Sequence, residues 1–323
     1  MSQLDLQDFQ GQGQIASIFA MYLPDVVDEY PNIRVVAADM SYGARLDRFK
    51  ALYPEKFINV GIAEQNMLGV CAGLAEEGFK PIALAQATFI TMRDFEPLRQ
   101  YMSYMGYPII LIGLSAGLGM QFMGNTHYAI EDLSIMRSIP GIDVLSPADC
   151  GEAVKAIQYA LKSDRPTYIR LTGSAADNGV YENDFEYNPT HANIVKDGLD
   201  ITIFATGSMV SRSLDAAQIV EENVGVSVKV VDVHSLSPLD KLVVLEAKSS
   251  KLIVSVEEHH TTGGLGSAVA DIMAEKSGFS PLYKLGIQNK YSVVGDYNFL
   301  LEQHRLYPEA IAQDIITRYK SLE

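Results

Sequence analysis

Residues 56–69 read KFINVGIAEQNMLG, and how this run is read settles the rest of the chain. It sets one acidic residue, Glu64, just inside the start of an otherwise apolar helix. Gly61 permits the tight turn and close backbone approach that such an entry needs. Ala63, Met67, Val70 and Cys71 give the following helix a buried face, which turns Glu64 toward a poorly solvated cleft. Desolvation there favours a shared proton, the condition for a carboxyl group to hydrogen-bond a neutral heterocyclic nitrogen and join a proton relay. The same residues suit a surface glutamate in a first helical turn, held by the helix dipole. This segment by itself leaves both readings open.

Outward from this run, short β-branched runs alternate with helical patterns, the signature of parallel βαβ units. Strands are expected at 33–39, 81–86, 108–114, 142–147 and 166–171, with helices at 63–77, 89–105, 129–138 and 149–163. Residues 173–199, rich in Asn, Asp, Gly and Pro and without sustained period, read as a linker. A second set follows, with strands at 200–207, 226–233, 251–258 and 282–287 and helices at 208–222, 239–248, 264–275 and 307–321. The fold class is α/β, two consecutive three-layer αβα domains with mainly parallel sheets, and 323 residues suit about two domains, here 1–185 and 186–323.

Hydrophobic residues make up 48% of the chain and charged ones 20%, the balance of a globular protein without compositional disorder. A net charge of −15 and a pI near 4.8 argue against general affinity for nucleic acid or an anionic membrane. The N-terminal MSQLDLQDFQGQGQ lacks the regions of a signal peptide, and no apolar run approaches the roughly 18–20 residues of a membrane span. A cytoplasmic protein is expected. Cys71 and Cys150 have neither close spacing nor His neighbours, so packing is their expected role and no metal ligand set is expected.

Open α/β sheets bind ligands in loops beyond the carboxyl ends of their strands. Three unusual segments fall there: Asp39–Gly43, the stretch around Glu64, and SAGLGMQFMGNTH at 115–127. In the last, Met120, Phe122 and Met123 suit a pocket wall, and His127 precedes a helical pattern from which its imidazole could face the cleft. Imidazole ordinarily titrates near neutrality, so His127 is a candidate acid, base or hydrogen-bond donor to an oxyanion, or else a structural capping histidine. Phe89 ends one strand and opens a helix, where it offers a flat face to an aromatic ligand or packs in the core. The run EEHHTTGGLG before a second-domain helix lacks a Walker lysine and dinucleotide spacing. Its glycines read as close helix–sheet packing, and His259 and His260 receive no catalytic role.

Taken together, FINVGIAEQNMLGVCAGLAEEGFKPI, ATFITMRDFEPLR, GNTHYAIEDLSIMRSIPGIDVLSPAD and VEEHHTTGGLGSAVADIMAE resemble, in order and spacing, the pyrimidine-binding and C-terminal domains of transketolase-type thiamine diphosphate enzymes. The resemblance runs from about residue 33 to the end of the chain. It implies that Glu64 holds the pyrimidine ring nitrogen of thiamine diphosphate and promotes the imino form that deprotonates the thiazolium carbon. It also implies that Phe89 packs on the pyrimidine, that Asp39, Met40 and Gly61 lie near the cofactor, that His127 with Asn125 faces substrate oxygens, and that Arg170 contacts a substrate phosphate. The family's Gly-Asp-Gly…Asn site for magnesium and diphosphate has no counterpart here, since Gly295–Asp296 is followed by Tyr297. The chain therefore resembles the C-terminal component of a split transketolase, with Mg2+ and diphosphate bound mainly by a separate N-terminal subunit and an α2β2 assembly implied.

Departures from the family bear on substrate. Sugar-phosphate transketolases carry an acidic residue where Met123 stands and a histidine where Ser115 stands, and residues 11–20, GQGQIASIFA, lack the expected upstream arginine. The implied reaction is transfer of a two-carbon ketol or acyl unit from a ketose or 2-oxo acid to an aldehyde, with a substrate other than an ordinary sugar phosphate. A decarboxylating subunit, of the 2-oxo acid dehydrogenase or deoxyxylulose-phosphate-synthase type, and a non-catalytic regulatory chain are the alternatives. Retention of Glu64, Phe89 and His127 together argues against the last.

Overall fold

The computed structural model describes residues 5–172 and 179–322; the opening of the expected 173–199 linker lies outside them. Twelve strands are present among the described residues: β1 (Ile33–Ala37), β2 (Phe57–Asn59), β3 (Lys80–Gln86), β4 (Ile110–Leu114), β5 (Asp143–Leu145), β6 (Thr167–Arg170), β7 (Asn193–Lys196), β8 (Ile201–Ala205), β9 (Val228–Asp232), β10 (Ser235–Ser237), β11 (Leu252–His260) and β12 (Leu282–Ile287). They form two sheets, ordered β10-β5-β6-β4-β3-β1-β2 and β12-β11-β8-β9-β7. Every pairing is parallel except the edge strands β10 on β5 and β7 on β9. Helices cover both faces of each sheet, and the two αβα units bear out the expected fold class.

Both faces of the first sheet are apolar, as a covered parallel sheet requires. Alternation along the strands sends Val36, Ala83 and Leu111 to one side, against Met67, Leu68 and Cys71 of the helix Glu64–Glu76. Val35, Ile82 and Ile110 go to the other, against Phe19, Leu23, Val154 and Ile157. The first of these clusters runs on without a break into Phe204, Val231 and Ile253 of the second sheet, so the sheets share one core.

Three strands escaped the sequence pattern, as did the helical segment at 14–29 and the short helices Asp47–Leu52 and Tyr297–Gln303. Phe57–Asn59 and Ser235–Ser237 are three residues each, too short to show a period, and Asn193–Lys196 sits inside the polar stretch read as linker. Residues 14–29 form a helical segment of mixed pitch that passes through Pro24 in its second half. Two expected helices are cut short. The one at 89–105 breaks after Met92 and resumes at Phe95, with Arg93 and Asp94 in the turn between. The one at 129–138 begins only at Asp132, because Ala129 pairs instead with Gly117 as an isolated antiparallel bridge. The glycines of the second-domain run pack as read: side chains at Gly264 and Gly266 would collide with Glu257 and Ser255, while the Glu257 carboxylate accepts the Leu265 and Gly266 N–H groups at 2.7 and 2.8 Å.

Candidate active site

From β1 the chain steps outward to β2 and then returns to β3 on the other side of β1. That reversal opens a crevice beyond the carboxyl ends of β1 and β3, the position where open α/β sheets take ligands. The loops that line it hold unusual backbone. Of five non-glycine residues with positive φ among those described, four lie in them: Asp39 (55°), Arg45 (57°), Ser115 (52°) and Gln121 (47°). Strained conformations of this kind persist where the surroundings over-determine them.

Asn59, at the end of β2, organises one wall. Its Oδ1 accepts the backbone N–H of Asp39 (3.1 Å) and of Gly61 (3.0 Å), so one side chain ties the β1 loop to the turn that precedes Glu64. Gly61 has φ +75° with open space about its missing Cβ, so the backbone conformation, not crowding, requires glycine. Met40 is half-buried against the core under β1 and backs the same loop.

Glu64 is the first residue of its helix and only 6% exposed. Its Oε1 accepts the Arg93 Nη1–H at 3.0 Å, and the Arg93 guanidinium lies over the Phe89 ring, 3.8 Å from the centroid. Phe89 in turn meets His127 edge to face, with centroids 5.2 Å apart. His127 Nδ1 is 2.9 Å from Thr126 Oγ1. Glu64, Phe89 and His127, chosen from sequence, thus form one contiguous row, with Arg93 as the member the sequence reading missed. Its signal was present in the spacing: a cation four residues after an aromatic on a helix shares its face.

Behind the row lies Asp94, fully buried, with neither carboxylate oxygen meeting a hydrogen-bond partner among the described residues. Burial and then the neighbouring Glu64 charge push its carboxyl up to about 7, against the opposing pull of Arg93. A carboxyl held above its unfolded value of 3.8 takes up a proton on folding, so its contribution to stability falls as pH rises from about 4 to about 7. Asp94→Asn cannot titrate. The melting temperature of the variant should therefore exceed that of the wild type by a margin that widens from pH 5 to 7 and levels off above; parallel curves would remove Asp94 as the source.

Two expected substrate contacts are placed elsewhere. Asn125 spends both ends of its amide on Ser292, donating to its carbonyl at 2.7 Å and accepting its N–H at 2.8 Å, which pins the 115–127 loop to the 291–294 segment. Arg170 is 0% exposed. Its Nε donates to Asp132 Oδ2 at 2.7 Å, and its Nη2 to the carbonyls of Glu258 (2.9 Å) and Ala129 (3.2 Å). No face of that guanidinium is open to a phosphate, so the role expected from sequence is withdrawn for it. An accessible cation beside the crevice is Arg45, which lines a cleft of ≈ 230 Å³ with Gln12, Gly43, Ser115, Gly119 and Thr172. Sequence reasoning missed Arg45 because nothing in SYGARL distinguishes it from a surface arginine.

Comparison with known proteins places this geometry. Residues 13–177 match the transketolase pyrimidine binding domain, and residues 190–310 the transketolase C-terminal domain. The chain is 35% identical over 283 residues to the 6-deoxy-6-sulfo-D-fructose transketolase subunit SqwH of Clostridium sp. (strain MSTE9), covering 87% of each chain. It is 33% identical over 278 residues to one subunit of the apulose-4-phosphate transketolase of Actinobacillus succinogenes, covering 85% of this chain and 89% of that one. A solved split-gene transketolase, in the form of an inactive beta4 tetramer, superposes with a TM-score of 0.83 at 34% identity, over 94% of this chain and 98% of that one. The crevice beyond β1 and β3 therefore lies in a pyrimidine-binding domain, and the chain belongs to the transketolase family.

Proposed function

We propose that the chain is the C-terminal subunit of a two-component, thiamine diphosphate-dependent transketolase that moves a two-carbon ketol unit from a ketose to an aldehyde. One observation carries the reading. The Arg93 guanidinium, a flat group rich in N–H donors, rests on the Phe89 ring while bonded to the buried Glu64 carboxylate. A site that seats one flat N–H donor in this way fits an aminopyrimidine. When bound, thiamine diphosphate supplies the carbon nucleophile and the electron sink for the transferred unit. Glu64 would hold the proton at the pyrimidine nitrogen, Phe89 would offer its face to the ring in place of Arg93, and the Asn59-clasped Asp39 and Gly61 turns would line the approach. His127 donates to the developing oxyanion of the substrate.

Magnesium and the diphosphate fall to a partner subunit, in a cytoplasmic α2β2 assembly. The relatives named as subunits support a separate partner. The substrate reading follows from the walls: Phe122 and Met123 are exposed apolar surface, and Arg45 is the cation of the adjoining cleft. A ketose with a deoxygenated flank and one anionic end suits them.

The isolated chain should show neither ketol transfer nor magnesium-dependent cofactor binding by calorimetry, and both should appear on co-expression with the partner. In the reconstituted enzyme, Arg45→Ala should raise KM for an anionic ketose about ten- to a hundredfold, the value of one charge-assisted contact, while leaving neutral ketoses unaffected. Tight magnesium-dependent binding by the chain alone would end the two-component reading. An unchanged KM would remove Arg45 from the substrate.

A further inference from the structure

Away from the crevice, where the helix Cys150–Lys162 of the first unit meets the connection from β9 to β10, three side chains converge. Glu152, Asp232 and His234 are each 0% exposed. One ligand atom from each lies within 4.8 Å of the other two. Glu152 Oε1, Asp232 Oδ1 and His234 Nδ1 have no hydrogen-bond partner among the described residues. Nothing in the sequence marks the group, since about eighty residues separate its first member from the other two.

The remaining atoms of the same three side chains are all engaged, and that is what orients them. Glu152 Oε2 accepts the Ala148 N–H at 2.7 Å. Asp232 Oδ2 accepts the Tyr181 hydroxyl at 2.6 Å, and Asn193 Nδ2 donates to that hydroxyl at 2.8 Å. His234 Nε2 lies 3.2 Å from the Asn188 carbonyl, which can only accept, so Nε2 carries the ring hydrogen and Nδ1 presents a lone pair. Nδ1 stands 3.4 Å from Glu152 Oε1, too long for a charge-assisted N–H···O bond of about 2.7–2.9 Å. Three such atoms, two of them carboxylate oxygens, therefore converge in the core, where either a proton shared by Glu152 and Asp232 or a cation held by all three would relieve them. Each is held by an outer hydrogen bond of the kind that orients the ligands of a metal.

We infer that Glu152, Asp232 and His234 form a binding site for a divalent transition-metal cation that clips the two units together. Carboxylate oxygens and an imidazole nitrogen are the ligand set of zinc, and also serve manganese. Ligand bonds of about 2.0–2.2 Å in a tetrahedron place neighbouring ligand atoms about 3.3–3.6 Å apart, and the 3.4 Å between Nδ1 and Oε1 suits such an edge. A doubly charged cation also neutralises the two buried carboxylates. The Tyr187 hydroxyl, buried and without a partner among the described residues, belongs to the same pocket, its ring against the His234 imidazole with centroids 4.8 Å apart. β10, which begins three residues beyond Asp232, pairs with β5, so the ion would reinforce a strand pairing that joins the second unit to the first sheet. This role is separate from the cofactor chemistry and does not rest on it.

The test uses the full chain, stripped with a chelator in denaturant and refolded with or without Zn2+ or Mn2+, because the ligands are fully covered in the folded state. One equivalent of metal per chain by elemental analysis is expected, with a melting temperature raised by about 5 °C or more at a hundredfold excess over Kd. Cobalt substitution should give the visible band of a low-symmetry site. His234→Ala and the isosteric Glu152→Gln should each lose the equivalent and the band, while His260→Ala, a histidine outside the group, should keep both. Absence of stoichiometric binding by either ion, or an unchanged cobalt band in folded His234→Ala or Glu152→Gln, would overturn the proposal and leave a carboxyl pair sharing a proton.

Discussion

Glu64→Gln in the reconstituted enzyme should leave the fold and cofactor binding in place and slow hydrogen–deuterium exchange at the thiazolium carbon by about 10²–10⁴-fold, the usual contribution of a positioned acid–base group. The amide matches the carboxyl in shape, so the helix Glu64–Glu76 and the packing of Met67 and Leu68 beneath it are undisturbed. What is lost is the proton a carboxyl can share with a ring nitrogen. The ion pair to Arg93 is lost too, but that guanidinium side chain is 48% exposed and water takes over its charge, which costs the fold on the order of 1 kcal/mol. Exchange followed by NMR separates this step from substrate binding and product release, which turnover alone does not. An exchange rate equal to wild type would take Glu64 out of the mechanism, whatever happened to turnover.

Arg93 sharpens that expectation. Its guanidinium occupies the Phe89 face and the Glu64 carboxylate together, so on the proposed reading the cofactor takes its place. Arg93 still has helical backbone, its N–H bonded to the Phe89 carbonyl, and the interruption of what sequence pattern reads as one continuous helix falls just after it. The same turn buries Asp94 against Glu64. The departure from regular helix is thus a local feature of the site, and no helical period could have revealed it.

The sequence made the strands legible because parallel strands covered on both faces are short runs of Val, Ile and Leu, as in PIILIGL and ITIFA, bounded by Pro, Gly and polar turns. It hid β10, since Ser235–Ser237 has no pattern of its own and exists because β5 offers it an edge. Within the site, Glu64, Phe89 and His127 were legible because each is a chemically unusual residue in a segment that follows the carboxyl end of a strand. Asn59 was not, because an asparagine closing FIN looks like any turn residue until Asp39, twenty positions earlier, is brought beside it. Charge is the hardest property to place. Arg45 and Arg170 are indistinguishable as letters, and only the packing shows that one lines a cleft while the other is sealed in the core.

Arg170→Ala should therefore fail as a stability mutation, not as a substrate mutation. The guanidinium joins three pieces of chain: Asp132 at the start of its helix, the Ala129 carbonyl beside the Gly117 bridge, and the Glu258 carbonyl in β11 of the second sheet. Removing it strands the Asp132 carboxylate in the core, where the Tyr168 hydroxyl at 2.8 Å is the one donor left to it among the described residues. Breaking a buried pair from one side costs about 3–5 kcal/mol, a large share of the roughly 5–15 kcal/mol that holds a domain together. The alanine variant should be recovered poorly or melt many degrees lower. Arg170→Lys keeps the charge but offers its donors from a single atom, which cannot reach three acceptors lying in different directions. It should fold with a lowered melting temperature and, once reconstituted with the partner, show the wild-type KM for an anionic ketose. A lysine variant with an unshifted melting temperature and a raised KM would return Arg170 to the substrate and displace Arg45 from that role.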